Sequence, residues 1–392
     1  MDTTHIGVGV VSVGWMGRLH SRAYLAARHH YPDLPRVALV AAADPDAAGR
    51  AHASDVLGFA RAVADYRDVI EDPAVQAVSI CSPNFLHREI ALAAAAAGKP
   101  FWIEKPMGRG AQESRQIAAA AQNAGVVTSV GFNYRHAPAM AEARRLIRDG
   151  AIGRVTNVRV SLLADYSADP DGVLTWRFLR DRAGSGVLGD LLSHGADLAQ
   201  FLVGRITAVT GMTKTFFTDR PIPSAQATSH FATGSADGPR GTVENEDHAA
   251  VLARFDGGAV GVLESSRVAV GPHAEYAVEV YGTRGSLRWD FQRLNELELA
   301  VDTLGYRTLM ASPGFGDFAQ FQPGTGTSMG FDDLKTIEAS LFLRSVVTGE
   351  QLGPSVADGW AAAEIVDAVE SSAVSGAWVT VPRVSGITTY DR

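Results

Sequence analysis

Residues 6–13, IGVGVVSV, form an apolar run of strand length, and residues 18–30, RLHSRAYLAARHH, return to apolar positions every three or four residues. This pattern predicts a buried strand, a short Gly-containing turn (SVGWMG, 12–17) and a helix. Further apolar runs at 37–46, 74–84, 101–103 and 126–135 alternate with helical stretches, among them the Ala-rich REIALAAAAAG closed by Gly98. Strand and helix in repetition predict a parallel sheet with helices on its faces. Polar loops follow the strands, and in an open parallel sheet ligands bind outside the carboxyl ends of the strands.

Past residue 155 the period changes. NVRVSLLADY (157–166) alternates like a strand with one exposed face, and similar runs recur at 206–216, 249–255, 259–268, 276–282, 286–291 and 297–301. Asp256-Gly257-Gly258 reads as a hairpin turn between two of them. Many strands with short connections predict a mostly antiparallel open sheet. Residues 218–241 are rich in Pro, Gly and Ser and read as a mobile loop, while Phe315, Phe318 and Phe321 read as anchors of a second loop at 312–330, with a cover over a site as the other reading. Helices return near 331–349 and after Ser355, a plausible N-cap. The fold class is therefore α/β, with a dinucleotide-binding type of domain at 1–130 and a second α/β domain at 131–392 whose last helices are free to pack back on the first. A broad sheet face of this kind commonly needs a second subunit, so a homo-oligomer, dimer or tetramer, is expected.

Composition narrows the function. The chain has 392 residues, 46% hydrophobic and 20% charged, with net charge −8, which argues against nucleic acid or an anionic membrane as main partner. Cys81 is the one cysteine, so neither a disulfide framework nor a cysteine-based zinc site is available within one chain. The N-terminal apolar run has no basic segment before it and is broken by glycines, and no stretch approaches the roughly 20 apolar residues of a membrane helix. A cytoplasmic location is expected.

Several loops carry candidate chemistry. In SVGWMG, Gly14 lets the backbone approach a pyrophosphate, Gly17 lets the helix pack close to the strand, and the helix N-terminus offers free N–H groups. Ser12 stands where G-x-G-x-x-G has its first glycine, and an ordinary tight turn is the competing reading. Asp44 can accept hydrogen bonds from ribose hydroxyls and repel a 2′-phosphate, favouring NAD, while Arg50 leaves NADP open and a plain N-cap role before Pro45 is the alternative. FWIEKPMG (101–108) places Glu104 and Lys105 at the end of a buried strand, where charge carries a desolvation cost and so needs a reason. In a helix predicted over 187–204, Asp190 and His194 are four apart, and Asp197 lies near the same stripe. A carboxylate one turn from an imidazole can orient it for proton transfer; a surface ion pair is the other reading, and no third metal ligand is evident, so no metal is expected.

SVGWMG, Asp44, SPNFLH (82–87), EKP (104–106), GFNYR (131–135), TWR (175–177) and D-x-x-x-H (Asp190, His194) together resemble the glucose–fructose oxidoreductase/inositol dehydrogenase family, Gfo/Idh/MocA, over most of the chain. The resemblance implies a Rossmann domain followed by an α/β domain with an open sheet, and hydride transfer between NAD(P) and a secondary hydroxyl of a sugar, anhydrosugar or cyclitol. It implies a catalytic set of Lys105, His194 and Asp190, with the division between Lys105 and His194 as formal base left open. Expected cofactor contacts are Ser12, Gly14, Trp15, Met16, Gly17, Asp44, Ser82, Pro83, Asn84, His87, Glu104, Lys105, Asn133, Trp176 and Arg177. Expected substrate contacts are Lys105, Tyr134, Arg135, Asp165, Tyr166, Asp190 and His194. The segments PGFGDFAQFQPG and GFDDLKTIEASLFLRSV are similar to those of levoglucosan-dehydrogenase-like members. An NADP-dependent keto-sugar or dihydrodiol-type reductase and a non-catalytic sugar- or NAD(P)-sensing regulator remain as alternatives.

Overall fold

The computed structural model describes residues 5–223, 232–235 and 237–386. The N-terminal sheet contains β1 (His5–Val11), β2 (Arg36–Ala43), β3 (Arg61–Val63), β4 (Ala77–Ile80), β5 (Phe101–Ile103) and β6 (Thr128–Val130). Their order is β3-β2-β1-β4-β5-β6, and every pairing is parallel. The order reverses between β1 and β4, which opens a crevice at the carboxyl ends of the strands. β1 is Val-rich and buried from Ile6 onward, as a strand covered on both faces must be.

The first helix, Trp15–His30, starts directly after the turn at residues 12–14. Ser12 takes a left-handed φ of 72° there, so the turn that commonly uses glycine forms with a side chain in place. A Cβ on Gly17 would lie 1.9 Å from the Ser12 carbonyl oxygen, so only glycine lets this helix sit so close to β1.

The second sheet contains β7 (Val155–Ala164), β8 (Ile206–Lys214), β11 (His248–Phe255), β12 (Val260–Ser266), β13 (Ala274–Gly282), β14 (Ser286–Asp290), β15 (Glu296–Ala300), β16 (Arg307–Met310) and β17 (Val379–Thr380). Its order is β16-β15-β14-β13-β7-β12-β11-β8-β17. β7 and β12 pair in parallel and the remaining pairs are antiparallel. One face packs on the helices Ser193–Val203 and Val356–Ser375. The other leaves Met212, Leu252, Val260 and Val262 exposed.

Two expectations change. The ends of the 218–241 segment are a two-stranded antiparallel ribbon, β9 (Asp219–Pro221) with β10 (Arg240–Thr242), tied by Arg240 to Asp171 and Asp219; residues 224–231 and 236 of that segment lie outside the described residues. The helix expected across 187–204 begins as a π-helical turn, Leu188–Leu192, and becomes α-helical only over Ser193–Val203. In the 312–330 loop Phe318 is fully buried against Ala311, Met329 and Ile337, which makes it an anchor.

Candidate active site

The loops that follow β1, β2, β4, β5 and β6 meet at one edge of the sheet. The first helix has no side-chain cap and no acidic residue in its first turn, so its leading N–H groups face the crevice without an internal anion. Gly14 borders open space, with nothing closer to a built Cβ than Ser12 Oγ at 3.9 Å. Ser82 Oγ, Asn133 Nδ2 and Thr175 Oγ1 are buried without a hydrogen-bond partner among the described residues. Buried polar atoms left unpaired suit a polar ligand. These residues therefore fit a dinucleotide.

Asp44 is buried under the segment Ala47–His52, where Oδ2 accepts from Val13 N at 2.7 Å and Oδ1 from Asp46 N at 2.9 Å. Arg50 Nη1 donates to the carbonyls of Asp44 and Pro45, both at 2.9 Å, which ties this cation to the turn itself. Trp15 is exposed and stacks on Phe331 at 5.9 Å. Trp176 meets Phe85 edge-on at 6.1 Å and carries the Arg177 guanidinium over its ring.

The EKP turn resolves the question of its paired charges. The two side chains do not pair with each other. Lys105 Nζ donates to Asp190 Oδ1 at 2.8 Å and to the Asp190 carbonyl at 2.9 Å. Glu104 turns into the core, 5% exposed, where Oε1 meets Lys335 Nζ at 2.6 Å and His20 Nε2 at 2.9 Å. Glu104 is thus an internal carboxylate rather than the cofactor contact expected from sequence. The Lys105–Pro106 peptide is cis.

Asp190 was expected to partner the substrate or His194; its carboxylate joins Lys105 to Tyr166, whose hydroxyl donates to Oδ2 at 2.6 Å. Burial opposes its charge, yet Lys105, Arg177 and the two hydrogen bonds outweigh that and hold the carboxyl well below the usual range. His194 is 6% exposed, with Tyr134 packed on its ring at 4.6 Å and Phe132 edge-on at 5.9 Å. Burial, then the Lys105 ammonium, push the imidazole well below its ordinary pKa, so it stands neutral and able to accept a proton. His194 lies one turn after Asp190, the residue that Lys105 contacts.

Three further expectations shift. Arg135 is no wall of the cleft: it is buried, donating to both oxygens of Asp197 and to Asp358 Oδ1 at 3.0 Å. His87, expected to touch cofactor, is buried with its ring nitrogens against the carbonyls of Pro106 (2.9 Å) and Ser82 (2.7 Å). It therefore links the turn after β4 to the EKP turn. Asp165 holds His273 Nδ1 at 2.6 Å at the rim. Sequence reasoning missed His20 and Lys335. Each is one of several polar residues in its helix, and no local signal separates a buried lysine from a solvated one.

A Rossmann domain with a lysine, a carboxylate and a neutral histidine beside its cofactor crevice defines a nicotinamide-dependent oxidoreductase. Residues 6–132 match the model of the oxidoreductase family with an NAD-binding Rossmann fold, and residues 140–288 match the GFO/IDH/MocA C-terminal domain. The chain belongs to the GFO/IDH/MocA oxidoreductase family. It is 38% identical over 389 residues to levoglucosan dehydrogenase of Pseudarthrobacter phenanthrenivorans, covering 97% of this chain and 99% of that protein. It is 29% identical over 273 residues to the scyllo-inositol 2-dehydrogenase (NAD(+)) of Bacillus subtilis, covering 69% and 71%. Among solved structures, levoglucosan dehydrogenase in complex with NADH and levoglucosan aligns with a TM-score of 0.90 at 36% identity, covering 97% of this chain and 100% of that one. Among the described residues no helix is long and apolar enough to cross a membrane.

Proposed function

We propose that this chain is an NAD-dependent dehydrogenase that moves a hydride between nicotinamide and a secondary hydroxyl of a compact sugar, with a 1,6-anhydrosugar such as levoglucosan first among candidates. The observation that carries the proposal is the hydrogen-bonded set Lys105–Asp190–Tyr166 beside the crevice of the first sheet, with His194 one turn after Asp190. Bound nicotinamide supplies the hydride acceptor or donor. In oxidation the carbinol carbon gives up hydride, and its hydroxyl proton passes to His194 Nε2 or Nδ1. Lys105 polarises the developing carbonyl oxygen, and Asp190 with Tyr166 holds that ammonium in place. Reduction runs the same steps backward.

Tyr134, Tyr276, Phe291 and Phe331 pack on one another beside His194 and form an apolar wall. Such a wall suits the C–H face of a rigid bicyclic sugar. The likeness to levoglucosan dehydrogenase over the full length supports the same choice. The binding of Arg50 by backbone carbonyls beside Asp44 favours NAD over NADP. The exposed apolar face of the second sheet supports a homo-oligomer, which light scattering would count. The deciding experiment is a panel of levoglucosan, inositols and free sugars with NAD or NADP, followed by absorbance of reduced cofactor. Turnover of levoglucosan with NAD is expected; no turnover of any anhydrosugar or cyclitol would sink the assignment.

A further inference from the structure

Behind the EKP turn lies a cluster of buried charge that the reaction itself does not use. Lys335, from the helix Phe331–Thr348, is 1% exposed and 231 residues from Glu104 in sequence, yet its ammonium sits 2.6 Å from Glu104 Oε1. It also lies 2.8 Å from Glu338 Oε2 and over the Trp102 ring at 5.3 Å. His20 reaches the same Glu104 oxygen at 2.9 Å, stacks on Trp102 at 3.5 Å, and has its other ring nitrogen 3.2 Å from Ser79 Oγ. Glu104 Oε2 accepts from the backbone N–H of Lys105 at 3.3 Å. On the far side, a Cβ on Gly131 would come within 2.6 Å of Glu104 Oε1, so the glycine after β6 leaves the carboxylate its space.

We propose that Lys335 is a positioning residue for Lys105: it holds the Glu104 carboxylate from behind, fixing the end of β5 so that the next side chain projects to Asp190. The proposal rests on the assignment of Lys105 as a catalytic residue. One carboxylate oxygen has two candidate cations, Lys335 and His20, and needs one charge. Lys335 supplies it. His20 then stays neutral, its pKa lowered to about 4 by burial first, with the Glu104 hydrogen bond opposing and the Lys335 charge adding to the shift. The other titratable groups whose charge reaches this cluster are Tyr24, Cys81, Glu338, Tyr134, Asp197 and the buried histidines His87, His136 and His194. Burial holds each of those three histidines below its ordinary pKa, and His20 is the histidine in hydrogen-bond contact with Glu104. With Lys335 replaced by a neutral side chain, His20 is the group in hydrogen-bond contact that can become a cation for Glu104, and it must take up a proton to serve. Its pKa then rises, and the brace is lost as pH climbs through that raised value.

The test compares Lys335→Met, Lys335→Arg and Glu104→Gln with the unmodified protein. NADH affinity is read by fluorescence, turnover by steady-state kinetics, and His20 by ¹⁵N-histidine spectra assigned with His20→Gln. Lys335→Met is expected to lower kcat about tenfold or more while NADH affinity stays within about threefold. In that variant His20 should begin to titrate above pH 6, and kcat should fall as pH rises through its midpoint. Lys335→Arg should restore the neutral His20 and most of kcat. Unchanged kcat per folded molecule, or a His20 that stays neutral in Lys335→Met, overturns the proposal. If Lys335→Met does not fold, Glu104→Gln carries the test, because it keeps the shape and removes the charge: full turnover there also overturns it. Failure of the unmodified protein to oxidise any sugar would remove the catalytic assignment, while the His20 spectra still report on the brace.

Discussion

The Tyr166 hydroxyl donates to Asp190 Oδ2 at 2.6 Å, on the carboxylate whose other oxygen receives Lys105 at 2.8 Å. Three groups from separate segments thus form one chain of charge-assisted hydrogen bonds ending at the proposed substrate oxygen. Tyr166→Phe removes one donor and is expected to lower kcat about threefold to tenfold, whereas Asp190→Asn, which takes the counter-charge from Lys105, should cost about a hundredfold or more. Steady-state kinetics at pH 7 decide this. Equal effects of the two substitutions would contradict the ranking.

Glu338 makes stability depend on pH in a defined direction. Burial raises its pKa to about 8, because Lys335 opposes that rise incompletely and the nearby Glu104 carboxylate adds to it. A carboxyl raised in the fold contributes stability that is complete below the unfolded value near 4.5 and is lost as pH rises through about 8. Glu338→Gln removes this loss. Its unfolding free energy relative to the unmodified protein, from denaturant titration, should therefore climb between pH 5 and pH 8, by up to about 1.4 kcal/mol per pH unit. A difference that does not vary with pH refutes it.

The turn after β1 supports opposite outcomes at two positions. Ser12→Gly relieves a left-handed φ of 72° and should stabilise the protein by about 0.5–1 kcal/mol, with NADH binding retained. Gly17→Ala sets a Cβ 1.9 Å from the Ser12 carbonyl, which forces the helix off the strand. NADH binding, measured by fluorescence titration, should weaken by at least about tenfold.

Arg135 joins Asp197 and Asp358 in the core, and its side chain is 6% exposed. Arg135→Met leaves two buried carboxylates without their cation and should cost about 3–5 kcal/mol in denaturant unfolding. Arg22 and Asp332, whose side chains are 49% and 60% exposed, pair at the surface. Arg22→Met should stay within about 1 kcal/mol of the unmodified protein.

Elements whose signal is local were readable in the chain. β1, the helix after it and the hairpin at Asp256-Gly257-Gly258 follow from apolar period and turn chemistry, and all appear. β3, with the sequence RAV, was missed because three residues carry no period, and the partner that defines it is β2. At the site, residue types were legible and pairings were not. Glu104 and Lys105 are neighbours in sequence, but consecutive residues at a strand end point to opposite sides. One found Lys335 and the other Asp190, each contributed by a segment far along the chain. Arg135 looked like a substrate contact because its segment GFNYR flanks the catalytic motifs; Asp197 and Asp358, 62 and 223 residues away, make it part of the core.

The outer edge of β6 is closed by the far end of the polypeptide. Val130 N donates to the Pro354 carbonyl at 2.9 Å, and the Gln351 side chain bonds both the N–H and the carbonyl of Thr128. Residues up to 130 hold all six parallel strands with an unclosed border, and there Glu104 has His20 but not Lys335 beside it. Closure of the first sheet and of the buried acid behind β5 is therefore supplied by residues 335–354, from the far end of the chain.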